Sequence, residues 1–222
     1  MRRIVATNVT ILSLAAMAVA GCAKDPTEGK TAATVAEAKP VAAAPAAAAT
    51  ETLIVAPDSK LGFVGAKVTE EHVGEFREFT GKISLAQGKI EGGKVEFEVK
   101  PGALVVDGGL QKLEDHLRSP DFFDVEKFPV ARFVSTEIKP GSEVAGNNYT
   151  VTGNFEIRGV TKSVTFPAQI DVGTAAVTAK TEFGINRKDF GIEYPGMPDN
   201  LIKDNVLIRV DLKAPRGTAD KN

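Results

Sequence analysis

The chain has 222 residues, 43% of them apolar, 25% charged and 6% aromatic, enough for one hydrophobic core and one domain. A single Cys rules out an intramolecular disulfide, and two His beside it are too few soft ligands for a structural zinc site. A formal net charge of -2 supplies no field to gather phosphate, so nucleic acid is not an expected partner.

At the start, Arg2 and Arg3 precede an apolar stretch centred on Ile11, Leu12, Leu14 and Val19. It is too short for the ~20 residues that a helix needs to span a bilayer. The stretch ends in Val19-Ala20-Gly21-Cys22. Small residues let the backbone lie extended in a peptidase cleft, and a thiol can be thioether-linked to diacylglycerol. The segment resembles the lipobox of bacterial lipoproteins. That resemblance implies a signal peptide over 1–21 and an acylated Cys22 that anchors the chain to a membrane without a transmembrane helix. Ala23, rather than Asp, after the Cys implies sorting to the outer membrane, facing the periplasm.

From Ala23 to Thr50 the composition shifts to Ala, Pro, Thr, Lys and Glu, with no aromatic residue. Pro40 and Pro45 break up the alanine runs by removing amide donors and biasing the preceding residues to extended backbone. A tether is expected over 22–50, which at ~3.1 Å per residue would hold a globular head more than ~80 Å from the membrane.

All twelve Phe lie beyond residue 50, where the periodicity is close to two. Apolar side chains alternate with polar ones over Lys94–Lys100, Tyr149–Arg158, Val164–Ile170, Val177–Ile185 and Val206–Leu212, each pattern predicting a strand with one wet face. Earlier strands are expected near Leu61–Val68 and Phe76–Leu85. Turns are expected at Gln87-Gly88, Gly92-Gly93, Gly141, Gly146-Asn147-Asn148 and Val172-Gly173. About eight strands in sequence predict an all-β antiparallel barrel or sandwich.

One segment breaks this rhythm: Leu110, Leu113 and Leu117 fall at helical spacing before Ser119-Pro120, predicting a short helix near 110–118. Phe122, Phe123 and Phe128 follow in a stretch that cannot be a regular strand. They either plug one end of a barrel or line a ligand mouth. Glu114, Asp115, Asp121 and Asp124 read as a solvated acidic surface.

Three blocks lie in order along the chain: Leu117-Arg118-Ser119-Pro120-Asp121-Phe122-Phe123-Asp124-Val125-Glu126-Lys127-Phe128-Pro129-Val130-Ala131-Arg132-Phe133, Val151–Pro167, and Phe183-Gly184-Ile185-Asn186-Arg187-Lys188-Asp189-Phe190-Gly191-Ile192. Together they resemble the YceI-like family over a domain at 51–214, leaving a disordered tail at 215–222. The resemblance implies an extended eight-stranded lipocalin-like β-barrel with a helical insertion, whose lumen holds a long isoprenoid lipid, a polyprenyl chain or quinone. Lipobox and tether depart from the common pattern, as does Tyr194–Ile202 before the last strand.

For such a lumen the candidate lining residues are Phe63, Phe97, Ala131, Phe133, Gly153, Phe155, Phe166 and Phe183. Gly65, Gly81, Ala131, Gly153, Ala168 and Ala179 are small inward candidates. They either leave the barrel hollow or make room for large residues opposite. Phe122, Phe123, Asn186 and Arg187 are candidates for the mouth or for reading a headgroup, although Asn186 to Asp189 equally fit a turn held by its own side chains. His72 and His116 read as loop donors.

Motifs for zinc proteases, serine hydrolases and phosphate loops are missing from the sequence, so no catalytic residue, metal or cofactor is expected beyond a bound isoprenoid or quinone. The expected function is an envelope lipoprotein that stores, carries or sequesters an isoprenoid lipid, its partners being that lipid and the membrane through Cys22. An envelope interaction or stress protein with a packed barrel is the alternative.

Overall fold

Alternation builds this molecule: along one strand, Val206, Ile208, Val210 and Leu212 face the interior while Asn205, Arg209, Asp211 and Lys213 face out. A computed structural model describes residues 23–40 and 49–217. In chain order its elements are β1 (Thr34–Glu37), β2 (Ala49–Ile54), β3 (Lys60–Ala66), β4 (Glu71–Phe76), β5 (Phe79–Ala86), β6 (Lys89–Val99), β7 (Leu104–Val106) and α1 (Gln111–Arg118). They continue with β8 (Ala131–Pro140), β9 (Tyr149–Ile157), β10 (Val160–Val172), β11 (Ala176–Asn186), β12 (Gly196–Met197), β13 (Asn200–Leu201) and β14 (Asn205–Pro215).

The fold is mostly β, a strongly curled antiparallel sheet with one short helix, similar to lipocalin-like folds. The expected eight strands are not eight uninterrupted elements. β2 and β3 form one bent strand, as do β4 and β5, and β6 and β7, for β2 pairs β5 while β3 pairs β4, and β5 pairs β6 while β4 pairs β7. Pro57 and Pro101 stand in two of the three bends, where a residue without an amide donor interrupts the ladder. From β6 the pairing passes through β8, β9, β10, β11 and β14, and β14 pairs β3, the second half of the first bent strand.

Gly92-Gly93, expected as a turn, lies inside β6. Gly92 takes φ +76°, and a Cβ on Gly93 would sit 2.2 Å from the Ser84 carbonyl oxygen, so the pair forms an irregularity where β5 and β6 shift register. Helix α1 falls where the leucine spacing places it. Within the acidic run Glu114 is buried, contrary to expectation: its carboxylate accepts the Val106 N–H at 3.1 Å and the Arg118 guanidinium at 3.2 Å, fastening α1 to β7.

The sheet parts between β10 and β11. β10 and β11 pair only over Gln169–Val172, and then separate. Pro167 stands at the parting, its carbonyl accepting the Thr181 hydroxyl of β11 at 2.6 Å. The amide on that same strand edge has no proton to give. Into the gap comes the N-terminal segment. Its β1 pairs antiparallel with Lys162–Thr165 of β10, while Gly184 of β11 donates to the Thr31 carbonyl and accepts the Ala33 N–H. Lys30 pairs with Glu182, Lys162 with Glu37 at 2.7 Å, and the Asn154 side chain brackets the Lys39 backbone.

The tether expected over 22–50 is therefore corrected for residues 23–40, which lie on the barrel as part of its sheet. Ala-rich sequence without aromatics hides this, because the segment binds through backbone groups that every residue carries. Strand β2 starts at Ala49, β14 runs to Pro215, and Arg216 meets Glu51 at 2.7 Å, so the sheet itself brackets residues 51–214 by a residue or two at each end. The signal peptide, Cys22 and the last residues, 218–222, lie outside the described residues.

Deleting residues 24–40 should leave a folded, sheet-rich protein that is less stable by about 2–4 kcal/mol, several hydrogen bonds of ~1 kcal/mol each being lost. Chemical denaturation of the two proteins measures this; equal midpoints would mean that the segment contributes nothing to the barrel.

Acid should release the same segment. Lys30 holds the Glu182 carboxyl below its usual range, and Lys162 does the same for Glu37. Burial pushes Asp25 up, but hydrogen bonds from Thr27 and Asn205 overcome it and leave the carboxyl low. Because these groups are depressed in the folded state, their contribution is complete at neutral pH and falls away as pH drops through and below the ordinary carboxylate range. Hydrogen exchange of residues 31–37, corrected for intrinsic rate, should show protection at pH 7 that is lost as pH falls through and below the ordinary carboxylate range.

Candidate functional site

The inward side chains enclose a cavity of about 410 Å³, within the ~300–1,000 Å³ typical of small-ligand sites. Its walls are almost wholly apolar, drawn from the inner face of the curled sheet and from α1, which contributes Leu113 and Leu117. Phe63, Phe97, Ala131, Phe133, Phe155, Phe166 and Phe183 all line it, as the sequence pattern expects. Rings knit the walls together: Phe166 stacks on Phe183 at 4.2 Å, Phe133 meets Phe166 at 5.7 Å, and Phe155 meets Phe190 at 5.7 Å.

Gly153 does not line the cavity. A Cβ there would lie 2.4 Å from the Phe133 ring, which occupies the space over the glycine. Gly81 seats the Phe97 ring in the same manner, at 2.3 Å, and Gly74 seats that of Phe63, at 2.2 Å. The small inward residues thus divide into two kinds. Gly65, Ala131, Ala168 and Ala179 border the void, and nothing lies within 4 Å of where a Gly65 Cβ would be. Gly81 and Gly153 are beds for aromatic rings, which lie flat against the strand and leave the centre clear.

Phe122 and Phe123 both line the cavity. Phe123 packs between Phe63 and Phe76, with ring centroids 6.2 and 5.9 Å away. Phe122 packs on Tyr194 at 5.6 Å and on His116 at 5.0 Å. Phe128 instead covers Gly159 in the β9–β10 turn.

Arg187 borders the cavity but is 5% exposed and bound on all three nitrogens by the protein itself. It donates to the Lys203 carbonyl at 3.1 Å, the Ile192 carbonyl at 2.7 Å and the Asp204 carboxylate at 3.0 Å. Asn186 stays outside the lining, its side-chain oxygen accepting the Lys188 N–H at 2.9 Å. Of the two readings left open by the sequence, the self-held turn describes these residues, and the headgroup role is withdrawn for both. Asp204 is accordingly held below the usual carboxylate range, first by the hydrogen bond from Lys188 and then by Arg187.

Both histidines touch the cavity: His72 meets Glu70 at 2.7 Å and Asp107 at 3.3 Å through its two ring nitrogens, and His116 meets Asp121 at 2.8 Å through Nε2. The Thr181 hydroxyl donates to the Pro167 carbonyl. Lys67, which pairs with Glu70 at 3.2 Å, and Asn200, Lys203 and Tyr194 complete the polar part of a lining that is otherwise shape and apolar surface. The sequence reading missed Phe76, Phe190, Ile192, Tyr194 and Met197 as lining residues. Phe190 and Ile192 were within reach, since they end the third sequence block, whereas Tyr194 and Met197 come from an irregular segment without period.

A family model for the YceI-like domain matches residues 54–214. A UPF0312 protein of Shewanella denitrificans is 38% identical over 130 residues, 54% of this chain and 64%, less than two thirds, of its own length. Another, of Pseudomonas putida strain W619, is 32% identical over 143 residues, 61% of this chain and 71% of its own length. The crystal structure of Burkholderia cenocepacia BcnA superposes with a TM-score of 0.59 at 27% identity, covering 70% of this chain and 96% of that one. A polyisoprenoid-binding domain from Saccharophagus degradans has a TM-score of 0.57 at 14% identity over 74% and 99% of the two chains, a likeness of fold.

The two kinds of glycine separate on substitution. Gly153→Ala should displace the Phe133 ring and cost ~1–3 kcal/mol, while Gly65→Ala should be neutral or stabilising by up to ~1 kcal/mol. Thermal unfolding of both variants checks the contrast; similar losses at both positions would contradict it.

Proposed function

We propose, from the premise that the chain belongs to the YceI-like family, that it is an envelope lipoprotein holding a long isoprenoid lipid, a polyprenyl chain or quinone, in its lumen. Its role is binding rather than catalysis, and its place is the outer membrane facing the periplasm, anchored through an acylated Cys22. The observation that carries the reading is the cavity itself: about 410 Å³ walled by aromatic and aliphatic side chains. Apolar surface left uncovered inside a barrel forfeits both burial and dispersion, and a slender hydrocarbon restores them. A chain of isoprene units fits a lining that is overwhelmingly apolar, with Lys67, Asn200 and Lys203 as its few polar members beside the histidines, Thr181 and Arg187. Its affinity comes from apolar area at roughly 25 cal/mol per Å², less the cost of ordering chain and partner.

The ring contacts that knit the walls, Phe166 on Phe183 at 4.2 Å and Phe155 on Phe190 at 5.7 Å, favour a second reading, a barrel filled by its own side chains that acts through its surface. Ala131→Phe tells the two apart, since Ala131 is buried and borders the void. In a hollow lumen the added ring should leave the melting temperature level and reduce co-purified isoprenoid, read by native mass spectrometry, about tenfold or more. In a packed one it should cost ~1–3 kcal/mol through overpacking. That loss, together with no lipid on the wild-type protein, would discard the carrier reading.

A further inference from the structure

Met197 is the one exposed residue among those lining the cavity, 61% accessible, and so marks where the lumen reaches the surface. It stands in the small β12–β13 hairpin beside Leu201, itself 48% exposed. Among the described residues, these two large apolar side chains at the lip of an apolar cavity stand exposed. The hairpin is fixed to the barrel, because Val68 donates to the Leu201 carbonyl at 3.0 Å, Lys203 donates to the Ala66 carbonyl at 2.8 Å, and Lys67 bridges Ile202.

The N-terminal segment arrives at this same spot. Ala23 donates its N–H to the Val68 carbonyl at 2.8 Å, so Val68 alone separates Ala23 from Leu201. Residue 22 follows one peptide link away, ~3.8 Å between Cα atoms. Because residues 23–37 lie along the barrel, no slack chain separates Cys22 from the lip of the cavity. Acyl chains on that sulfur would enter the bilayer directly beside Met197 and Leu201.

We propose that this end of the barrel docks against the lipid bilayer, Met197 and Leu201 entering the interface, so that an isoprenoid passes between membrane and lumen without crossing water. The inference rests on the acylation of Cys22 and deepens the reading of the lumen as an isoprenoid site. Its occupant is lipid rather than protein because the anchor puts a bilayer at this lip before any other partner can reach it.

The test uses the full chain processed in cells, with acylation checked by intact mass, in vesicles of phosphatidylethanolamine and phosphatidylglycerol. Leu201→Cys, and separately Met197→Cys, carry an environment-sensitive bimane dye. Thr174→Cys, in the turn between β10 and β11 at the opposite end, carries the same dye as a control. The dye at 201 or 197 should shift to the blue and lose most of its emission to brominated lipid, while that at 174 keeps both. Equal quenching at the two ends, or quenching at 174 alone, on a protein that carries its acyl mass would overturn the docking and leave the lumen reading standing. Quenching confined to 197 and 201 with no isoprenoid extracted from the wild-type protein supports the docking and overturns the cargo. A wild-type protein without acyl mass overturns the docking together with the anchor.

Discussion

Closure of this sheet turns on a donor that is missing. Pro167 points its proton-less amide toward β11, and the ladder between β10 and β11 ends beside it after only four residues. An open edge inside a barrel would expose unpaired carbonyls and amides, which is costly when buried and an invitation to other chains when not. The molecule meets the constraint with its own N-terminal segment, so the piece of sequence that looks most like a linker becomes part of the wall. From this follows the position of Ala23 at Val68, and with it the route by which the chain leaves the barrel.

Void and packing are decided at the level of single strands. A large ring can lie flat only where the residue beneath it has no Cβ, and Gly74, Gly81 and Gly153 supply that at three places. Flattened rings thicken the wall instead of crossing the lumen. Where Ala or an unshielded Gly stands instead, as at Ala131, Ala168, Ala179 and Gly65, the space belongs to the cavity. Three of the twelve Phe rings are thereby seated against the backbone of a neighbouring strand.

The sequence was most legible where one physical rule acted alone. Two-residue alternation placed β9, β11 and β14, and leucine spacing placed α1, because burial of one face dictates each. Phe97, Phe155, Phe166 and Phe183 stand on segments where that alternation was read, whereas Phe133 entered through the family block. The rule failed where backbone groups or tertiary partners decide. β1 binds through its amides and carbonyls, Glu114 is buried by an N–H and a guanidinium brought from elsewhere, and Gly153 sees a ring from the neighbouring strand. Arg187 and Asn186 were legible as chemistry and ambiguous as placement, since a cation at a strand end serves a turn or a ligand equally until its acceptors are known.

Those acceptors set the selectivity of the site. With Arg187, His72, His116 and Thr181 committed to partners inside the protein, recruiting any of them to a headgroup would break an existing hydrogen bond, and the exchange gains little. Discrimination among ligands then falls to the length and girth of the apolar body, where one methylene is worth only about 1–3 kcal/mol. A cavity of this kind sorts long hydrocarbon chains from short ones and leaves the polar end of its ligand at the lip. If that lip faces a bilayer, the headgroup stays at the interface where it was already solvated, and only the chain has to move.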